Sequence, residues 1–236
     1  MQAAEIFEGM RRGEMNMAEK YHQVTPEILE QFKAIVPGKV YAGGEINSDY
    51  FHDEMPIYGK GVPEVLIEAT TTEDIAAIMK VCYENSLPVI PRGAGTGLTG
   101  AAVAVDGGVM IDMSKMNKIL GYDLENFVVR VEPGVLLNDL AEDAQKQGLL
   151  YPPDPGEKFA TLGGNVSTNA GGMRAVKYGC TRDYVRAMTV VLPTGEIVKL
   201  GATVSKTSTG YSLLNLMIGS EGTLGIITEL TLKLIP

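Results

Sequence analysis

The sequence predicts a mixed α+β protein divided into two subdomains, and three observations carry that reading. Strand-like and helix-like apolar periodicities interleave along the chain, with no repeat period and no low-complexity tract. Clusters of Gly, Pro, Asn and Asp separate them, in keeping with 28 glycines, five phenylalanines and no tryptophan among 236 residues. The pattern also changes near Ser114 to Leu120, which divides residues 61–236 into subdomains at about 61–114 and 115–236. Residues 1–16 read as a helical or frayed extension and 17–60 as a helix followed by an irregular arm.

The elements follow in order. Thr25-Pro26-Glu27 is a helix start, and Ile28, Leu29, Phe32 and Ile35 recur at helical spacing until Pro37-Gly38. Residues 39–60, with Gly43-Gly44 and Asn47-Ser48-Asp49, read as the arm. Val65-Leu66-Ile67 is a strand. Thr70-Thr71-Thr72-Glu73-Asp74 caps a helix whose apolar face is Ile75, Ile78, Met79 and Cys82. Pro88-Val89-Ile90 and Val109-Met110-Ile111 are short strands. Phe127 to Val131 is a strand ending at Pro133-Gly134, and Leu136, Leu137, Leu140 and Ala144 suit a helix closed by Gly148. Met188–Leu192 and Ile197–Leu200 flank Pro193-Thr194-Gly195-Glu196 as a hairpin. Tyr211 to Ile218 suits a short helix, and Ile226 to Ile235 a final strand.

Composition excludes several function classes. A net charge of −9 argues against a nucleic-acid surface, which needs clustered Lys and Arg. Cys82 and Cys180 stand almost a hundred residues apart, and His22 and His52 are equally isolated, so neither a disulfide framework nor a metal site is expected. Cys82 belongs to the core, with a redox role as the remote alternative. The first twenty residues mix Glu5, Glu8, Arg11, Arg12, Glu14 and Glu19 with apolar residues, which is neither a secretory signal nor a membrane span. A cytoplasmic location, or one peripheral to a membrane through a complex, is expected.

The chemistry is concentrated in glycine-rich segments. Pro91-Arg92-Gly93-Ala94-Gly95-Thr96-Gly97-Leu98-Thr99-Gly100 has four glycines in eight residues, a backbone whose amides can converge on an anion. It matches G-x-G-x-x-G formally, and Asp112 ends the next strand, as a dinucleotide-binding Rossmann unit would have it. That unit needs a helix of about ten residues or more after the glycines. Here Ala101 to Val105 is stopped by Asp106-Gly107-Gly108, and no Lys-Ser or Lys-Thr follows to make a P-loop. Pro152-Pro153-Asp154-Pro155-Gly156 is a rigid turn. Two further loops, Thr161 to Gly172 and Gly219 to Ile227, are rich in small hydrogen-bonding residues. Any one of these could be only a turn; together they imply an extended ligand touched by backbone at several places. Gly95→Val is expected to fill space that a pyrophosphate needs.

In their order, these segments resemble the FAD-binding domain of the FAD-linked oxidases, the vanillyl-alcohol oxidase or p-cresol methylhydroxylase (PCMH) type. The chain is most similar to the D-2-hydroxy-acid dehydrogenase branch, which includes the glycolate oxidase FAD subunit and D-lactate dehydrogenases. The resemblance runs from about Glu27 to Pro236. It implies a two-subdomain PCMH-type fold with FAD extended between the subdomains, and no C-terminal substrate (cap) domain. By that resemblance Pro91, Arg92, Gly93, Ala94, Gly95, Thr96, Gly97, Leu98 and Gly100 wrap the pyrophosphate. Pro153, Asp154, Pro155, Thr161, Gly163, Gly164, Asn165 and Ser167 line the middle of the cofactor. Thr168, Asn169, Ala170 and Gly171, followed by Tyr178 and Gly179, lie near the isoalloxazine or its ribityl arm. Glu221, Gly222, Ile226 and Ile227 approach the adenine and ribose. Arg92 either neutralises phosphate or holds the loop as a surface ion pair.

The first loop lacks the histidine through which some relatives attach FAD, so non-covalent FAD is implied, with attachment at Cys180 as the alternative. In this family a 2-hydroxy acid gives hydride from its Cα to flavin N5 while a base, typically His, takes the hydroxyl proton. The base, and the Arg or Lys that anchors the carboxylate, come from a second domain in the relatives. The implied partners are therefore a 2-hydroxy-acid substrate, a polypeptide supplying the substrate domain, and iron–sulfur or electron-transferring flavoprotein subunits as acceptors. The alternative is a non-catalytic flavin-binding module that passes electrons within a complex.

Overall fold

The computed structural model describes residues 21–55, 60–208 and 210–236; the extension expected at 1–16 lies outside them. Helix α1 spans Pro26–Ile35, with proline at its first turn and the Thr25 side chain accepting from Ile28 N. It buries Ile28 and Phe32. Strand β1, Val40–Ala42, follows, then single 3₁₀ turns at Gly43–Glu45 and Ser48–Phe51. The arm read as irregular thus contributes a strand. Its signal is only three residues long, and its order comes from antiparallel pairing with β2, Val65–Glu68.

Helix α2, Thr72–Glu84, is capped by Thr71 and buries Ile75, Ile78, Met79 and Cys82, the face its periodicity indicates. Strands β3, Val89–Arg92, and β4, Val109–Asp112, complete a four-stranded sheet of order β1-β2-β4-β3, in which β4 runs parallel to both β2 and β3. Pro91 can stand inside β3 because that strand is an edge, where a missing N–H breaks no ladder. One face of the sheet packs on α1 and α2 through Ile67, Ile111, Ile75 and Ile78. The opposite face, with Leu66, Ile90 and Met110, is covered by Ile46 and Ala104, with Tyr50 and Phe51 against them. No helix connects β3 to β4; the glycine loop does.

The second sheet is antiparallel, order β5-β6-β9-β7-β8, with β5 at Ile119–Asp123, β6 at Val128–Val131, β7 at Val185–Val191, β8 at Ile197–Gly201 and β9 at Ile226–Lys233. Strand β5 falls partly where a join was expected. It is a half-exposed edge strand with a register shift between Ile119 and Gly121, so its alternation is broken. Helix α3, Leu137–Lys146, buries Leu137, Leu140 and Ala144 on this sheet and ends before Gly148, whose φ is 73°. Helix α4, Leu162–Ser167, occupies the start of the second glycine-rich segment, which the sequence presents as a loop. Two short helices, α5 at Ala175–Tyr178 and α6 at Leu213–Met217, complete the fold.

Candidate cofactor cleft

The site begins where β3 ends, at the carboxyl end of a parallel strand, where ligands of such sheets gather. Arg92, 6% exposed, donates from one guanidinium nitrogen to Ala102 O at 3.0 Å and from another to Asp49 O at 2.8 Å, and lies 5.5 Å from the Tyr50 ring centroid. It is a buried internal tie rather than a surface ion pair. Burial lowers its pKa, opposed by Tyr50 and by the carboxylates of Asp112, Asp53 and Asp49. Gly95, at φ 75°, passes directly over this guanidinium, and any side chain there would run into it. A Cβ added at Gly97 would have no described residue within 4 Å. The amides of Ala94 to Thr99 have no hydrogen-bond partner among the described residues.

Helix α4 faces this loop. Thr161 Oγ1 caps it, accepting from Gly164 N at 3.3 Å, and also abuts Gly93. Leu162 N and Gly163 N donate to Val135 O and Pro133 O at 2.9 and 2.8 Å, which ties the helix start to the turn that follows β6. Asn165 is 5% exposed, and its Nδ2 is buried without a partner. Beyond α4, Asn169 and Glu221 hold φ values of 48° and 54°, a conformation that costs side-chain-bearing residues about 1–3 kcal/mol. Arg182 N donates to Asn169 Oδ1 at 3.0 Å, and Glu221 N to Ser167 O at 2.8 Å, which sustains both. Gly222 packs against the Pro91 ring, so the third segment closes on the first.

Together these segments enclose a cleft of about 410 Å³. Of the residues singled out in the sequence, Pro91 through Leu98, Pro155, Thr161, Gly163, Gly164, Asn165, Ser167 through Gly171, Glu221, Gly222, Ile226 and Ile227 line it. Five others are engaged elsewhere. Gly100 N donates to Asp53. Pro153 is buried outside the lining, and the carboxylate of Asp154 pairs with Arg174 Nε at 3.3 Å. Tyr178 O accepts from Tyr184 Oη, and Gly179 is tucked against Asp183. The lining adds Asp53, Met113, Pro133, Glu157, Ala160 and Gly225, with Thr99, Ala101 and Ala102. Met113 follows β4 directly, so the strand-end rule could have found it; Asp53 carries no local signal.

Among the described lining residues Arg92 is the sole cation, so the polar capacity offered to an anion is mainly backbone amide. Asp112, the acid a Rossmann reading would place on a ribose, is 1% exposed and accepts from Tyr50 Oη, Ser114 N and Ser114 Oγ. His22, His52 and Cys180 are not in the lining. Among the described residues no group of three or more His, Cys, Asp or Glu could hold a metal ion, and no helix is long and apolar enough to cross a membrane. Unengaged loop amides, an orphan amide nitrogen at Asn165 and a lining rich in small residues from three segments fit a phosphate-bearing dinucleotide.

Residues 63–201 match the family described as FAD binding domain. The chain belongs to this FAD-binding family. Its cofactor is FAD. This FAD-binding domain is 76% identical to D-lactate dehydrogenase of Anaerostipes hadrus over 92% of the chain and 46% of that protein. It is 43% identical to glycolate oxidase subunit GlcD of Bacillus subtilis over 79% of the chain and 40% of the relative. The chain spans about half the length of the curated relatives it matches. The crystal structure of p-cresol methylhydroxylase superposes with a TM-score of 0.78 at 24% identity, covering 90% of this chain and 44% of that one, which shows that the fold is PCMH-type.

Proposed function

We propose that this chain is the FAD-binding portion of a D-2-hydroxy-acid dehydrogenase of the lactate or glycolate type, and that FAD lies in the cleft without a covalent bond. The observation that carries the reading is the run of unengaged amides from Ala94 to Thr99 facing Asn165 across one cleft. In this reading those amides receive the pyrophosphate. Asn165, Ser167, Thr168 and Asn169 serve the ribityl and flavin end, and Glu221, Gly222, Ile226 and Ile227 the adenosine end. Bound FAD supplies the hydride-accepting chemistry. The names of the two relatives favour a dehydrogenase over a non-catalytic electron-transfer module.

No uncommitted cation or His lines the cleft among the described residues, so the base and carboxylate anchor belong to another part of the whole protein or to a partner polypeptide. An acceptor subunit and a cytoplasmic setting belong to the same proposal. The test has two arms. The purified chain is expected to bind FAD, and acid precipitation to release the flavin into the supernatant. The full-length protein with a dye acceptor is expected to oxidise D-lactate or glycolate and to leave L-lactate untouched. A protein that takes up no FAD, or that prefers the L-acid, overturns the proposal.

A further inference from the structure

Resting on that cofactor reading, we infer that Asp53 is a positioning residue for the cofactor, pinning the glycine loop in its anion-receiving shape from an arm outside it. Asp53 precedes the family-matched residues 63–201. It is 6% exposed and lines the cleft. Its Oδ2 accepts from Gly100 N at 2.9 Å and its Oδ1 from Met55 N at 2.8 Å. The neighbouring Glu54 N donates to Gly97 O at 3.1 Å, and Asp49 O takes the Arg92 guanidinium. The arm therefore holds the loop at its root and at its closing turn. The amides from Ala94 to Thr99 are left without partners among the described residues.

A carboxylate in the wall of a cleft that takes a diphosphate is electrostatically adverse, and burying it costs further free energy. Asp53 is tolerable there because two amides occupy its two oxygens and Arg92 is close enough to interact with it favourably. Each oxygen already accepts a backbone amide, and a carboxylate does not attract a diphosphate, so the residue acts through Gly100 rather than on the cofactor. Losing the tether lets the loop relax, and small misplacements of a binding constellation are costly.

The test uses the full-length protein in apo form, with Asp53→Asn and Asp53→Ala. Asparagine keeps the volume but only one acceptor oxygen, so it can hold one of Met55 N and Gly100 N but not both, and it carries no charge. It carries the test should the alanine variant not fold. In both, the FAD dissociation constant by flavin fluorescence titration is expected to rise by about tenfold, the scale of one buried charge-assisted hydrogen bond. Hydrogen exchange at residues 96–103 is expected to quicken more than elsewhere in the chain, and any fall in apo stability to be smaller than the loss of binding. An unchanged dissociation constant overturns the proposal, as does a weakening matched by an equal loss of apo stability, which marks a merely structural role. Failure of the wild-type protein to take up FAD would overturn the cofactor reading itself.

Discussion

Gly95 and Gly97 stand two residues apart, yet a side chain does different damage at each. At Gly95 the φ of 75° and the guanidinium beneath it both oppose a Cβ. Gly95→Ala is expected to destabilise the fold by about 1–3 kcal/mol in urea denaturation. Gly97 lines the cleft and a Cβ there meets no atom of the described residues. Gly97→Val is expected to leave the unfolding midpoint close to wild type and to weaken FAD binding. From sequence alone Gly95→Val is the expected ligand-blocking change; because a Cβ at Gly95 meets Arg92, we propose Gly97→Val as the cleaner probe of the cleft, since which way a loop glycine faces is a property of the fold. Cys82 makes a second residue-scale case. Burial pushes its thiol up to about 12, so alkylation of the native protein at mildly alkaline pH is expected to spare it. Half-buried Cys180 is expected to take the label, as mass spectrometry of tryptic peptides would show.

At the scale of elements, α4 shows what sequence can and cannot carry. Thr161 reads as a cap, but Leu162-Gly163-Gly164-Asn165 has poor helix propensity, and the helix exists because Val135 and Pro133 take its first amides. Thr161→Ala is expected to cost about 1 kcal/mol, read from the urea midpoint, by removing the cap and the contact with Gly93. Helices α1, α2 and α3 were legible because each keeps an apolar face at 3.6-residue spacing with its own start or stop signal. Strands β1 and β5 were not, being a three-residue edge and an edge with a broken register. The cleft residues were legible where glycine, Asn and Ser cluster, and illegible at Asp53, whose role exists only through contacts 47 residues away.

Across the whole molecule the two sheets have their own cores but share an edge of one. Val191 of β7 and Ile226 of β9 belong to the core that α1 and α2 form on the first sheet. Ile226→Ala is therefore expected to cost about 2–5 kcal/mol and to shift both sheets together, visible as coincident transitions by tyrosine fluorescence and far-UV circular dichroism. The same buried interior sets the alkaline limit. Burial raises Cys82 above its ordinary 9.0, and raises Tyr50, Tyr122 and Tyr151 above 10.0. Each group keeps its proton longer folded than unfolded, so its contribution is intact below its ordinary value and is lost as pH climbs past it. Urea titrations are expected to show stability falling from about pH 9 upward.

The connection from β3 to β4 is the place where a parallel pair lacks its helix. A helix there would satisfy its own amides and close off the strand ends. The loop does neither, and its amides from Ala94 to Thr99 have no partner among the described residues. On the proposed reading, cofactor bound in this cleft stabilises the folded domain to an extent that rises with its supply. A hundredfold excess of FAD over its dissociation constant would add about 2.7 kcal/mol to stability. The apo domain is the form most exposed to proteolysis, with its first cuts expected near residues 93–102.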